Sequence, residues 1–149
     1  MSLQDKLNND LHDAMRARDE LRKLVLRTLL SSINYAEIAK QKKLDDVGII
    51  EVVSREIKQR KESIEAYQQG NRPDLVANEK AEMAILQEYM PAQMSTDEIV
   101  AIVQQVLQEV GAKGPGDKGK VMQKLMPQVK GKADGAEVNK IVVELMSKL

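Results

Sequence analysis

The stretch GPGDKGKV, residues 114–121, comes closest to a chemical motif in this sequence. It reads G-x-x-x-x-G-K, the pattern of a loop whose backbone amides and lysine cradle nucleotide phosphates. Such a loop follows a β-strand and carries Ser or Thr after its lysine to hold magnesium. Here the preceding segment has helical periodicity, Val121 takes the hydroxyl position, and Pro115 removes one amide donor. The sequence therefore predicts a turn between two helices and no nucleotide cofactor.

Side chains that could act as nucleophiles, bases or metal ligands are scattered through the chain. The only histidine, His12, lies between Asp10 and Asp13, which is typical of a solvated helix surface. The acidic pair Asp45 and Asp46 falls in a polar loop, and the chain has no cysteine. Four serines without a base nearby in sequence are Ser31, Ser32, Ser54 and Ser63. We therefore predict no catalytic residue, no metal site and no cofactor.

The stretch between residues 113 and 132, around the same turn, is rich in lysine and contains a single acidic residue, Asp117. These lysines are Lys113, Lys118, Lys120, Lys124, Lys130 and Lys132. Lys120 and Lys124 stand one helical turn apart, opposite an apolar stripe, and the others flank that helix. Ammonium groups beside the amides of a Gly-rich turn suit nucleic-acid phosphates, although a solvated lysine surface explains them equally well. No aromatic residue lies near to stack on bases, so the pattern favours backbone and shape readout.

A second basic strip, SREIKQRKESIEAY, spans residues 54–67 and mixes both signs of charge. Lys58 and Glu62 are four residues apart, a spacing that favours an ion pair within one helix. Arg60 is the exception because it interrupts the apolar stripe of this helix. Its side chain either snorkels outwards or pairs with an acid at a helix interface.

The elements that carry these residues are predicted to be helices throughout. Apolar residues recur every three or four positions, and no segment alternates with a period of two. Apolar stripes predict four helices in the first part of the chain: Leu3 to Met15, Leu21 to Ala36, Val53 to Tyr67, and Val76 to Met90. Leu24, Leu26 and Leu30 widen the apolar surface of the second of these helices. The fold class is therefore all-α.

A domain boundary is predicted in the stretch YMPAQMSTDE. Pro91 ends a helix, and Ser95 with Glu98 three residues later forms a capping box that begins the next. Three further helices follow: Ile99 to Val110, Met122 to Val129, and a last one from Asp134. Asp117 is predicted to cap the middle one, which Pro127 and Gly131 close. Glu137 gives the last helix a second capping box. The prediction is a four-helix domain over residues 1–92 and a three-helix tail domain over residues 93–149, the latter small and marginally stable.

Composition and terminal sequence bear on location. Lysine plus arginine equals aspartate plus glutamate at 23 each, so net charge indicates no class of partner. No apolar run approaches the roughly 20 residues of a membrane span. The amino-terminal MSLQDKLNNDLHDAM lacks the apolar segment of a signal peptide. These features predict a soluble cytoplasmic protein without a membrane partner.

Two long phrases carry a family resemblance. SREIKQRKESIEAY (54–67) and GKVMQKLMPQVKGKADGAEVNKIV (119–142) closely resemble the bacterial YqeY family. The opening MSLQDKLNNDL and the NRPDLV and YMP segments extend the match over nearly the whole chain. That family is similar to the carboxy-terminal helical and tail domains of the B subunit of the tRNA-dependent amidotransferase. The resemblance implies two all-helical domains, of four-helix and three-helix type.

The resemblance also implies a functional context. The amidotransferase converts Glu or Asp misloaded on tRNA into Gln or Asn, with glutamine as amide donor, and its tail domain helps to grip the tRNA. This chain lacks the catalytic domain that activates the tRNA-linked carboxylate. The leading expectation is thus a tRNA-linked accessory or binding protein that contacts RNA through the tail lysines. The alternatives are a carbon–nitrogen ligase component acting with amidotransferase subunits, and a helical protein-interaction module.

Overall fold

The protein is described by a computed structural model that covers all residues, 1–149, and contains helices but no strands. Seven α-helices are joined by short connections: α1 Leu3–Arg16, α2 Glu20–Lys40, α3 Asp46–Gln69, α4 Pro73–Gln87, α5 Thr96–Val110, α6 Lys118–Val129 and α7 Gly135–Met146. A single 3-10 turn, Pro115–Asp117, precedes α6. The all-α prediction is confirmed. None of these helices combines the length and the apolarity that crossing a membrane requires.

Most helices begin at a residue whose side chain satisfies an otherwise unbonded amide of the first turn. Ser2 and Asp5 form a full capping box at α1. Asp45 Oδ1 accepts from the Gly48 N–H at α3, at 2.8 Å. Ser95 Oγ accepts from the Glu98 N–H at α5, at 3.2 Å, so Ser95 caps this helix as predicted. The predicted capping box is incomplete, because the Glu98 carboxylate accepts from Ser95 Oγ, at 3.1 Å, instead of from the Ser95 N–H. These caps fix where the helices start.

The chain divides into two compact units, Met1–Met90 and Pro91–Leu149. The core of the first unit is built from α1 to α4 and the segment after α4: Leu7, Val25, Leu26, Leu29, Ile33, Leu44, Ile49, Val52, Val53, Ile57, Ile85, Leu86 and Tyr89. The core of the second unit is built from α5, α6 and α7: Ile99, Val103, Val106, Leu107, Val121, Leu125, Val129, Val138, Ile141, Val142 and Met146. That residues 1–92 and 93–149 are independent domains stays a prediction.

Two apolar residues assigned to stripes lie outside the core. Met15 and Leu24 are 45% and 56% exposed, whereas Ala14 and Leu26 are buried. A stripe drawn strictly at four-residue spacing rotates about 40° around the helix at each step. By Met15 the stripe that starts at Leu3 has turned off the core face, and Ala14 takes its place.

The last two helices differ from the sequence prediction at their ends. Pro127 does not close α6, which continues to Val129 with the proline in its final turn. Glu137 does not complete a capping box at α7. Asp134 caps that helix by accepting from the Ala136 N–H, at 3.1 Å. Glu137 Oε1 instead accepts from Thr96 Oγ1, at 2.8 Å, and so links the starts of α5 and α7.

Candidate nucleic-acid interface

The Gly-rich turn joins α5 to α6. Helix α5 ends at Gly111, whose φ of 64° lies in the left-handed region that glycine adopts without strain. Gly114 is fully extended, and the 3-10 turn then leads directly into α6. Val121, in the position where a phosphate-cradling loop needs a hydroxyl, is completely buried in the core of the second unit. The predicted turn between two helices is therefore confirmed.

The six candidate lysines lie along and around α6. Lys118 and Lys120 stand in its first turn, Lys124 follows one turn later, and Lys130 and Lys132 come directly after its end. Lys118 is half-buried, and the other five are exposed. Because α6 has 12 residues, its two ends are about 18 Å apart. The lysines thus form a group at the amino end of α6, a group at its carboxyl end, and Lys124 between them.

Lys124 is paired with an acidic residue on the preceding helix. Its Nζ lies 2.7 Å from Glu109 Oε2, and both side chains are partly exposed. Glu109 also accepts a hydrogen bond from Gln105 Nε2, at 3.0 Å. The hydrogen bond from Lys124, followed by that from Gln105, holds the pKa of Glu109 below its ordinary value. Asp117 is the only acid within residues 113–132, and the packing of α5 on α6 adds Glu109 from outside that stretch.

The loops on both sides of α6 are held by hydrogen bonds to the backbone. Asp117 Oδ2 accepts from the Lys113 N–H, at 2.9 Å. The sequence indicated that Asp117 caps α6, but its side chain makes no capping hydrogen bond to that helix. At the other end, the Lys132 carbonyl accepts from the Met94 N–H, at 2.8 Å. Gln93 Nε2 donates to the Gly131 carbonyl, at 3.0 Å. These bonds fix the backbone on which Lys113 and Lys132 are carried.

The remaining polar candidates lie in the first unit, where their contacts are structural. His12 is exposed on α1. Ser32 Oγ donates to Glu56 Oε1 between α2 and α3, at 2.8 Å. Arg60 Nη1 contacts Glu79 Oε2 at 3.1 Å and also pairs with Glu82, both on α4. Of the two readings of Arg60, pairing with acids at a helix interface is correct.

A polar cluster that the sequence did not indicate lies at the end of the first unit. Tyr89 donates its hydroxyl to Asp10 Oδ2 at 2.6 Å, and Lys6 Nζ lies 5.3 Å from the centre of the Tyr89 ring. Burial, and then the bond to Asp10, raises the pKa of Tyr89 above its ordinary value. Arg22 Nη2 lies 2.9 Å from Glu88 Oε2 beside it. These contacts tie the segment after α4 to α1 and α2, and such pairings between distant residues carry no local sequence signal.

Comparison with known proteins identifies relatives over most of the chain. The profile of a family described as Yqey-like protein matches residues 4–146. A protein of Saccharomyces cerevisiae (strain YJM789), named altered inheritance of mitochondria protein 41, mitochondrial, is 44% identical over 85 residues, which are 56% of this chain and 46% of the relative. The protein of the same name from Lachancea thermotolerans is 42% identical over 113 residues, covering 73% of this chain and 60% of the relative. The chain spans about half the length of the Saccharomyces relative.

These names correct the prediction of location. The sequence indicated a cytoplasmic protein, but the curated relatives are named as mitochondrial, which contradicts it. The physical reason lies in the signal that was sought. A secretory signal is an apolar run, whereas a mitochondrial transit peptide is amphipathic and rich in arginine and serine. The lack of an apolar run therefore does not separate cytoplasm from mitochondrion.

Proposed function

The chain belongs to the family of Yqey-like proteins, and from that premise we propose that it is an accessory protein that binds tRNA. The contact is made by the lysines around α6 to the phosphate and ribose backbone of the RNA. The observation that carries this proposal is the arrangement of Lys118, Lys120, Lys130 and Lys132 at the two ends of one helix.

Three features of the site support phosphate contact. The positive end of the dipole of α6 lies beside Lys118 and Lys120. Gly116 and Gly119 have no side chains that would keep a phosphate from the backbone, and a Cβ at either would meet no neighbour. The three tyrosines of the chain, Tyr35, Tyr67 and Tyr89, all lie in the other unit. The contact is therefore expected to be electrostatic and insensitive to base sequence.

Removing charge at the start of α6 is expected to weaken tRNA binding and reduce its dependence on salt. Each phosphate contact adds roughly 0.7–0.9 to the slope of log K against log salt. Lys118→Ala/Lys120→Ala is therefore expected to lower that slope by roughly 1.4–1.8. A filter-binding titration against tRNA at several salt concentrations measures both affinity and slope.

The matched control is Lys140→Ala/Lys148→Ala, which removes the same charge from exposed residues of the second unit outside the cluster. Its affinity and slope are expected to stay close to those of the unmodified protein. Equal losses of tRNA affinity in both variants would mean that net charge, and not the position of the lysines, determines binding. A protein that shows no salt-dependent binding to tRNA at all would contradict the proposed function.

Glu109 provides a second prediction, with the opposite sign. Its pairing with Lys124 occupies one of the six ammonium groups. Glu109→Gln keeps the shape and the hydrogen bond from Gln105 while removing the competing charge. We expect tRNA affinity to rise by roughly two- to fivefold at low salt, within the range for an exposed ion pair. Glu144→Gln, an exposed acid on α7, is the control and is expected to change affinity less.

The resemblance to the amidotransferase B subunit makes a role in glutamine-dependent amide transfer the second candidate function. Such a role requires that the chain act with subunits that contain the catalytic domain. Amidation of misacylated tRNA in a reconstituted mixture, with and without this chain, tests it. A higher rate that also survives Lys118→Ala/Lys120→Ala would favour this role over simple RNA binding. A partner that is pulled down after nuclease treatment would favour a protein-interaction module.

A further inference from the structure

The exposed sides of α5 and α6 are rich in glutamine. Five exposed glutamines lie there, and we call them the glutamine face: Gln104, Gln105, Gln108, Gln123 and Gln128. At 100° per residue, the three on α5 fall within about 100° of one another around the helix axis, opposite the side that enters the core. The two on α6 share its outer side with Lys120 and Lys124. The face therefore extends over two neighbouring helices.

An ion pair joins the two helices within this face and neutralises it. Lys124 Nζ of α6 lies 2.7 Å from Glu109 Oε2 of α5. Gln105 Nε2 donates to Glu109 Oε1 at 3.0 Å, and Gln128 Nε2 donates to the Lys124 carbonyl at 3.3 Å. Both bonds use the amide nitrogen. The side-chain carbonyl oxygen of each glutamine is thus left to accept a further hydrogen bond.

The charges around the glutamine face limit what it can bind. Lys113, Lys118 and Lys120 lie at one edge, around the amino end of α6, and suit phosphates. Asp97 and Glu98 stand in the first turn of α5, at the other end of that helix, and disfavour phosphates. Between these edges the face consists mainly of amides, which both donate and accept hydrogen bonds. A matching ligand presents phosphates along one border and neutral hydrogen-bonding groups beside them.

The Pro91–Leu149 unit lacks the side chains that other modes of nucleic-acid recognition use. It contains no arginine and no aromatic residue. Arginine is a common reader of guanine in the DNA major groove, and aromatic rings stack on unpaired bases. The minor groove of double-helical RNA instead displays ribose 2′-hydroxyls, which donate and accept as amides do, and phosphates follow its borders. The glutamine face matches this groove.

We propose that the glutamine face binds the minor groove of double-helical RNA, such as an arm of tRNA, with its amides paired to ribose 2′-hydroxyls. This inference rests on the proposed RNA binding and names the part of the RNA that is recognised. Packed neighbouring helices lie about 8–10 Å apart, so together they present a broad surface to a wide, shallow groove. The minor groove of B-DNA is only about 6 Å wide and does not admit such a surface.

Duplexes of one sequence and about 16 base pairs, made of RNA or of DNA, test the class of ligand. Fluorescence anisotropy should show the RNA duplex bound roughly tenfold more tightly than the DNA duplex, which corresponds to a gain of about two hydrogen bonds. An RNA duplex with 2′-fluoro groups in both strands keeps the A-form but cannot donate from the 2′ position. It should lose most of this preference. Single-stranded RNA of the same sequence should bind more weakly than the duplex.

Substitutions separate the amides from the lysines. Gln108→Ala/Gln123→Ala removes two exposed amides that make no hydrogen bond within the protein, and alanine favours both helices. We expect it to lower affinity for the RNA duplex by roughly five- to tenfold. Affinity for DNA and the salt slope should stay unchanged, because neutral side chains release no counter-ions. Lys118→Ala/Lys120→Ala should instead weaken both duplexes alike and lower the slope. Asn139→Ala, which removes an exposed amide on α7, is the control and should change neither.

The outcomes separate this inference from the proposed function. Equal affinity for RNA and DNA duplexes, or tighter binding of single-stranded RNA, would overturn the minor-groove contact and leave phosphate binding by the lysines intact. So would a glutamine variant that keeps full affinity for the RNA duplex or weakens both duplexes alike. A protein that shows no salt-dependent binding to any of these nucleic acids would contradict the proposed function itself. Unchanged helical circular dichroism of each variant ensures that a loss of binding does not come from unfolding.

Discussion

Replacing Arg60 with methionine is expected to lower the free energy of unfolding of the Met1–Met90 unit by about 3 kcal/mol. Arg60 lies between Glu79 and Glu82 at the interface of α3 and α4, and the side chain of Glu82 is only 8% exposed. Methionine fills much of the same volume but leaves two carboxylates close together without a counter-charge. Removing one partner of a buried pair usually costs about 3–5 kcal/mol, and the 20% exposure of Arg60 places this case at the lower end.

We expect the loss of stability to come from leaving the two buried carboxylates unpaired rather than from losing their attraction to Arg60. A matched set of variants separates these two causes. Arg55→Met changes an exposed arginine on the same helix and is expected to alter stability by less than about 0.5 kcal/mol. Adding Glu79→Met and Glu82→Leu to Arg60→Met should recover most of the loss, because an apolar set needs no counter-charge. Urea denaturation of the four proteins measures this. If the triple variant is as unstable as Arg60→Met alone, desolvated carboxylates are not the cause.

Arg60 also illustrates how far the sequence could predict this fold. The helices follow from local signals, namely the apolar periodicity and the cap at Ser95, and these act within a few residues. The sequence also shows that Arg60 interrupts an apolar stripe and therefore needs an explanation. Which acids satisfy it was not, because Glu79 and Glu82 lie on another helix and come within reach only after α3 and α4 pack.

The same limit applies to the candidate RNA interface. The lysines around α6 stand out because they are close in sequence. Glu109, which pairs with Lys124, belongs to α5, and only the packing of the second unit brings it there. Contacts between helices also affect the prediction of where helices are capped. Glu137 has the spacing of a capping residue, but Thr96 of another helix offers its carboxylate a hydroxyl, and that tertiary contact replaces the local one.

Replacing Leu125 with alanine is expected to unfold the Pro91–Leu149 unit selectively. Leu125 is completely buried in the core formed by α5, α6 and α7. Leucine-to-alanine changes at such sites cost about 3–5 kcal/mol through lost burial and the cavity left behind. A unit of about 60 residues has little stability to spare, so this loss is comparable with its whole free energy of unfolding. Met1–Met90 keeps its own core and should remain folded.

Residue-resolved amide exchange on the full chain measures this outcome. In Leu125→Ala, protection in α5 to α7 should fall by roughly 100-fold or more, since each 1.4 kcal/mol is a factor of ten, while protection in α1 to α4 stays within a few fold. The reciprocal variant is Leu26→Ala, whose leucine is equally buried in the first unit. It should lower protection in α1 to α4 and spare α5 to α7. If both variants lower protection along the whole chain, the two units unfold together, and the prediction of two independent domains is wrong.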